Sequence, residues 1–163
     1  RLAKLVPLRY YAAMKMNTMR RLPTTFVLLA AFLVLPAACS RQPKYDAPPV
    51  SGNEIVIDIP SLPVETPRFY THLVKKRKVS FFLLKLNNGV FAYFDACVSC
   101  YPEKLGYAFK EGQVLCRACN MSFSIYKLEK GLGGCYPIKI NGEVRGTSYH
   151  IPLSLIEQNA GKF

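Results

Sequence analysis

Cys97-Val98-Ser99-Cys100 is followed, fifteen residues later, by Cys116-Arg117-Ala118-Cys119. The spacing has a mechanical meaning. Two residues between cysteines let a tight knuckle aim both sulfurs at one point. The insert is long enough for a β-hairpin that returns the chain with a second pair, so four sulfurs converge as a tetrahedral metal site requires. Asn120 directly follows the second knuckle, and asparagine tolerates the left-handed conformation that such a turn uses. Four thiolates suit zinc, mononuclear iron, Cu(I) and iron–sulfur clusters, and spacing alone does not choose among them.

The neighbours of the knuckles exclude other chemistry. Tyr101 and Asn120 stand where covalent haem attachment needs histidine, so c-type haem is ruled out. His72 and His150 are the only histidines and lie outside both knuckles, so the two-histidine iron of a Rieske centre has no counterpart. Both are expected to be ordinary strand or loop residues. Disulfide pairing of the cysteines, which an oxidising compartment permits, fits the symmetrical double knuckle least well. A fifth cysteine stands in Gly133-Gly134-Cys135-Tyr136-Pro137. Two glycines permit close backbone approach, so Cys135 is read either as a further ligand or as a buried turn cysteine. As a ligand it would supply more thiolate than one zinc needs, which points toward a cluster or a redox-labile site.

Working outward, the sequence reads as short strands and turns. Lys78–Leu86 is a β-rich run, Asn87-Asn88-Gly89 is a hairpin turn, and Val90–Asp95 is its return strand. Phe69–Leu73 is expected as the preceding strand, with Lys75-Lys76-Arg77-Lys78 as a solvated loop. That basic run would also suit contact with anionic lipid. Gly106–Lys110 and Gln113–Leu115 flank the tight turn Glu111-Gly112, and Phe123 and Ile125 alternate with polar neighbours. Pro137–Ile140, a turn at Asn141-Gly142 and Val144–Ile151 are expected to form one more hairpin. Leu153–Gln158 is expected to be a closing helical turn. Turns every 8–12 residues, with no long 3.6-residue period, predict a small all-β, sandwich-like domain over residues 68–158.

The N-terminal third reads as an address. Met19-Arg20-Arg21 precedes the ten apolar or small residues from Phe26 to Leu35, and Pro36-Ala37-Ala38 precedes Cys39. A basic start, a short apolar run and small residues before a cut describe an export signal over residues 19–38. A spanning helix needs roughly 20 apolar residues, so the run is too short to cross comfortably. Small residues directly before Cys39 resemble a bacterial lipoprotein signal, with Cys39 as the lipidated residue; the alternative is ordinary signal cleavage, with Cys39 incidental. Residues 1–18 are expected to be an upstream extension. Residues 39–67, punctuated by Pro43, Pro48, Pro49, Pro60, Pro63 and Pro67, are expected to be a semi-rigid tether. Within it Ile55, Ile57 and Ile59 alternate, the signature of a short strand that either docks at the edge of the domain or belongs to the linker.

Composition agrees. The chain has 163 residues, of which 50% are hydrophobic and 20% charged, which excludes a disordered, collagen-like or coiled-coil chain. The formal charge is +12, but no acid precedes Asp46 and six basic residues precede Cys39. The rest is mildly basic, and no nucleic-acid-binding motif accompanies the charge. No nucleophile–base pair and no phosphate loop is present, so the chain reads as a carrier or metal-binding protein rather than an enzyme.

Asp95-Ala96-Cys97-x-x-Cys100-Tyr101-Pro102, Gly106-Tyr107, Cys116-x-x-Cys119, Phe123 and Gly133-Gly134-Cys135-x-Pro137 occur in one order. Together they resemble the FtrD-like family of bacterial membrane-associated, iron–sulfur-containing proteins linked with ferrous-iron uptake. The resemblance implies that Cys97, Cys100, Cys116, Cys119 and Cys135 serve an iron centre. The strand–knuckle–hairpin–knuckle order also looks like rubredoxin, zinc-ribbon and Rieske-type domains, a likeness of fold alone. The expected function is an exported, membrane-tethered domain of the bacterial cell envelope that carries electrons on iron or an iron–sulfur cluster. A redox or iron-transport protein would be its partner. The alternatives are a structural zinc ribbon serving as a binding module, and a thiolate protein that delivers Cu(I) or Fe(II).

Overall fold

The computed structural model describes residues 42–163 apart from Leu132. The expected upstream extension, export signal and lipidated Cys39 lie outside the described residues. The fold is all-β, as read from the sequence.

The central sheet is an antiparallel meander of β4 (Arg68–Val74), β5 (Arg77–Leu86) and β6 (Gly89–Cys97). β1 (Tyr45–Asp46) joins one edge parallel to β4, and β10 (Pro137–Ile140) joins the other antiparallel to β6. A second sheet has the order β11 (Glu143–Arg145), β12 (Ser148–Pro152), β3 (Glu54–Asp58), β2 (Val50–Ser51). A third consists of β7 (Tyr107–Lys110), β8 (Gln113–Cys116) and β9 (Ser122–Ser124). A short α-helix, α1 (Leu153–Gln158), follows β12 and buries Ile156.

The run Phe81-Phe82-Leu83-Leu84 in β5 is buried throughout. Successive strand residues point to opposite faces, so an unbroken apolar run requires cover on both sides. Phe81 and Leu83 join Val79, Phe94, Ile55, Ile57, Tyr149, Ile151 and Ile156 in one core. Phe82 and Leu84 join Phe69, Tyr93, Tyr107, Val114 and Phe123 in the other. The central sheet is thus the middle layer, with the four-stranded sheet and α1 on one face and the three-stranded sheet on the other. Each fully buried aliphatic or aromatic side chain is worth about 1.5–3 kcal/mol relative to exposure.

Three expectations change. The stretch read as a proline-rich tether carries β1, β2 and β3. β3 is not an edge strand, since it pairs with β12 on one side and β2 on the other. Its alternation is legible and β2 adjoins it, but its other partner, β12, lies far along the chain, with Ile151 opposite Ile55. The expected hairpin between Pro137–Ile140 and Val144–Ile151 does not form. β10 pairs with β6, and β11 turns back on β12 through Gly146, at φ 60. Asn141-Gly142 instead carries the chain from one sheet to the next. A Cβ on Gly142 would meet the Tyr149 ring, so glycine is required there by close approach rather than by a hairpin turn. The basic run divides: Lys75 and Lys76 make the turn, whereas Arg77 and Lys78 begin β5.

Candidate metal centre

The first knuckle grows from the end of β6. Tyr93, Asp95 and Cys97 alternate along that strand and so share a face, the one covered by the three-stranded sheet. Cys97 is the last residue of β6 and is paired with Pro137 of β10, and the Val98 N–H donates to the Tyr136 carbonyl at 3.1 Å. This pairing brings Cys135 to Cys97 across 38 residues of sequence. The Ser99 hydroxyl donates to the Gly134 carbonyl at 2.8 Å, tying the first knuckle to the Gly-Gly-Cys element.

The second knuckle grows from β8. The β7–β8 hairpin closes at Glu111 and Gly112, at φ 51 and 73, the pair of positive φ values that a tight hairpin turn requires. It returns Cys116 opposite Tyr107. The Cys116 N–H donates to the Met121 carbonyl at 2.9 Å, and the Asn120 N–H donates to the Cys116 carbonyl at 2.8 Å. Asn120 sits at φ 58, the left-handed conformation expected of it.

Asp95 locks the two knuckles together. It is buried and accepts the Tyr107 N–H at 2.6 Å and the Tyr45 hydroxyl at 2.5 Å. Gly106, at φ 65, lies against it, and a Cβ there would fall 2.5 Å from a carboxylate oxygen. Burial pushes the Asp95 carboxyl up to about 6, against the hydrogen bonds from Tyr45 and Tyr107 that favour its charge.

All five knuckle and Gly-Gly-Cys cysteines carry free thiols and gather in one place. The sulfurs of Cys97, Cys100, Cys116 and Cys135 all lie within 4.8 Å of one another. Cys119 is the exposed member and stands outside that compact group. It meets the cluster most closely at Cys135, sulfur to sulfur at 3.2 Å, and hydrogen-bonds Cys116 and Cys100 as well, while Cys135 and Cys97 are 3.1 Å apart. Of the two readings left open for Cys135, the geometry therefore places it among the other sulfurs rather than in a remote turn. Among the described residues neither histidine joins the group. His150 Nδ1 instead lies 3.0 Å from Glu54 Oε2 on the far sheet.

The thiols differ in acidity. Burial opposes ionisation of Cys97, but hydrogen bonds from Cys135, the Cys100 and Ser99 N–H groups and Tyr107 outweigh it and bring the thiol down to about 7. Burial pushes Cys100 up to about 12, with Cys97 and Cys119 adding to the effect. Burial likewise raises Cys116 and Cys135. Burial also works against Cys119, but hydrogen bonding, first from Cys135, lowers it. The Tyr107 hydroxyl is buried with no oxygen or nitrogen partner, beside the Cys97 sulfur. A buried donor whose one neighbour in reach is sulfur fits an anionic thiolate there. Arg117 donates to the Leu105 carbonyl at 2.7 Å, so it braces the loop between the knuckles.

Residues 64–163 match the protein family described as "Membrane iron-sulfur containing protein FtrD-like". The chain belongs to the FtrD-like family. The FtrD-like match covers both knuckles and the Gly-Gly-Cys element and leaves β1, β2 and β3 outside it. No curated protein and no solved structure matches the chain. The family description supplies a membrane association. Among the described residues, no helix is long and apolar enough to cross a membrane.

Sequence reasoning gave no role to Asp95, Gly106, Tyr107 or Tyr45. The signal for Asp95 was present: it lies two residues from Cys97 in a strand, hence on the same face. Nothing local pointed to Tyr45, whose contact with Asp95 spans 50 positions.

Proposed function

We propose that this FtrD-like protein holds iron on its cysteine cluster and passes single electrons as a membrane-associated carrier supporting ferrous-iron uptake. The observation that carries the reading is the convergence of four sulfurs within 4.8 Å, with Cys119 exposed at their edge. Soft thiolate donors suit iron, and the family description names iron–sulfur content. The first coordination set is Cys97, Cys100, Cys116 and Cys135. Cys119 is then the accessible fifth thiol, beside Cys135 and open to solvent. Bound iron would supply the redox couple. The protein's own contribution is burial, the backbone N–H groups of the knuckles and the Tyr107 hydroxyl, which set how readily the thiolates hold their charge.

A structural zinc site is the second reading, and the compactness favours it. A tetrahedral ion with bonds of about 2.3 Å places its sulfurs about 3.8 Å apart, which suits one ion. The metal would then serve only to fold the three-stranded sheet onto the centre.

Protein purified without oxygen separates these readings by visible absorption with elemental analysis for iron, zinc, copper and sulfide. Iron with charge-transfer bands is the expected result, and acid-labile sulfide in addition would make it a cluster. Stoichiometric zinc with no colour, retained when iron is plentiful during expression, overturns the electron-transfer reading. Membrane attachment is assigned to lipidated Cys39. Cys39→Ser is expected to move the protein from the membrane to the soluble fraction, and unchanged fractionation would exclude that anchor.

A further inference from the structure

A cavity of about 530 Å³ opens beside the sulfurs. Cys97, Cys100 and Cys116 line one side of it, together with Asp95. Its other walls carry three lysines from distant parts of the chain: Lys78 of β5, Lys104 after the first knuckle, and Lys162 beyond α1. Asp95 is the only carboxylate side chain among its lining residues, and it is already engaged by Tyr45 and Tyr107. Among the described residues none of the three ammonium groups forms an ion pair with a carboxylate side chain. Lys104 donates to the Phe163 backbone oxygen at 3.3 Å and Lys162 to the Asn159 side-chain oxygen at 2.9 Å. Thr71 and Ser80, hydroxyl to hydroxyl at 2.9 Å, add hydrogen-bonding capacity to the same wall.

Three basic side chains line this cavity with no carboxylate side chain but the engaged Asp95 beside them, so an anion there would meet a positive wall. The cavity falls in the range of small-molecule sites, about 300–1,000 Å³. Leu73, Leu105 and Phe163 also line it, so part of the space suits a carbon skeleton. We propose that this cavity binds a small multivalent organic anion, bearing carboxylate or phosphate groups, in contact with the cysteine cluster. The site goes beyond the metal reading and does not depend on which metal the sulfurs hold. A ligand there touches residues of the cluster itself, so the centre has a chemical neighbour as well as a protein surface.

The test is a titration of the purified full chain, its metal content measured, with citrate and separately with inorganic phosphate, followed by calorimetry and by amide NMR shifts. Saturable binding at sub-millimolar citrate, with shifts at residues 104–106 and 78–80, is the expected result. Tighter citrate than phosphate binding marks an organic polycarboxylate, and the reverse order marks a phosphate ligand. Either order upholds the site. Lys78→Gln, Lys104→Gln and Lys162→Gln should each weaken binding about two- to fivefold, in line with the worth of single exposed charges. Lys76→Gln, outside the cavity, should leave it unchanged. Absence of saturation with both anions at 10 mM, or equal weakening by Lys76→Gln, overturns the proposal. So does a result in which the three cavity variants change only metal retention or midpoint potential, because the lysines would then serve the metal centre alone. Circular dichroism of each variant confirms the fold, so a lost site and a lost fold are told apart.

Discussion

Phe81 and Leu83 on one face of β5 meet isoleucines, a tyrosine and α1, whereas Phe82 and Leu84 on the other lead toward aromatic rings, a buried carboxylate and thiols. The first layer is closed by a sheet of four strands whose buried residues are mostly aliphatic. The second is closed by three short strands with polar groups beneath them. Burial of apolar area is sufficient to hold the first. The second must also satisfy Asp95 and hold five cysteines close together. The difference teaches that one sheet can serve as scaffold on one face and as the floor of a site on the other, with a period of two separating the roles.

Breaking the scaffold face should have the largest effect. Phe81 is fully buried in the aliphatic core. Phe81→Ala is expected to cost about 3–5 kcal/mol in chemical denaturation, by about the same amount with and without bound metal. A loss confined to metal-loaded protein would show that the two layers are energetically one.

The site face should instead be broken by losing its ligands. Cys116→Ser and Cys135→Ser are expected to abolish stoichiometric metal binding and to expose the amides of β7, β8 and β9 to hydrogen exchange. β3 and β12 should stay protected. Cys119→Ser is expected to keep the metal, since Cys119 lies outside the compact group of four. Metal content by elemental analysis reads all three. Retention by Cys135→Ser together with loss by Cys119→Ser would restore the two-knuckle ligand set.

Gly106→Ala sharpens the boundary between the layers. Its Cβ would drive into Asp95 and its φ is positive, so the strain, of order 1–3 kcal/mol, falls on the site face. Thermal denaturation measures the loss, and hydrogen exchange should place it in β7 rather than in β12.

The smallest effect belongs to the outer sheet. Hydrogen bonding, first with His150 and then with Arg145, holds the Glu54 carboxyl below its ordinary value. Its folded value is therefore lower than its unfolded one. Its contribution to stability is complete above the unfolded carboxylate range and is lost as pH falls through the folded value. Glu54→Gln should flatten the acid limb of a stability–pH profile slightly, and an unchanged limb would mean that the carboxylate is fully screened.

Much of this comparison was legible locally. The Asn87-Asn88-Gly89 and Glu111-Gly112 turns, the strands beside them and Leu153–Gln158 follow from residues adjacent in sequence. Each rests on φ preferences or on alternation within a few positions. The convergence of the two Cys-x-x-Cys knuckles was equally legible, because the insert is a local hairpin. The β6–β10 pairing was not. Pro137–Ile140 has a turn sequence and a strand immediately after it, and only a competing partner 40 residues earlier explains why it goes elsewhere.

The amino-acid sequence by itself determined the all-β class, the hairpins at Asn87-Asn88-Gly89 and Glu111-Gly112 and the approach of the two knuckles, since turn chemistry and strand period act over short distances. The tertiary structure alone decided which strands share a sheet, that β3 lies inside one, and that Asp95 is bound from Tyr45. It also decided that Cys135 rather than Cys119 completes the compact set of sulfurs. Those outcomes depend on burial shared between distant segments, and the free energy of such burial belongs to the packed layers as a whole rather than to any stretch of chain.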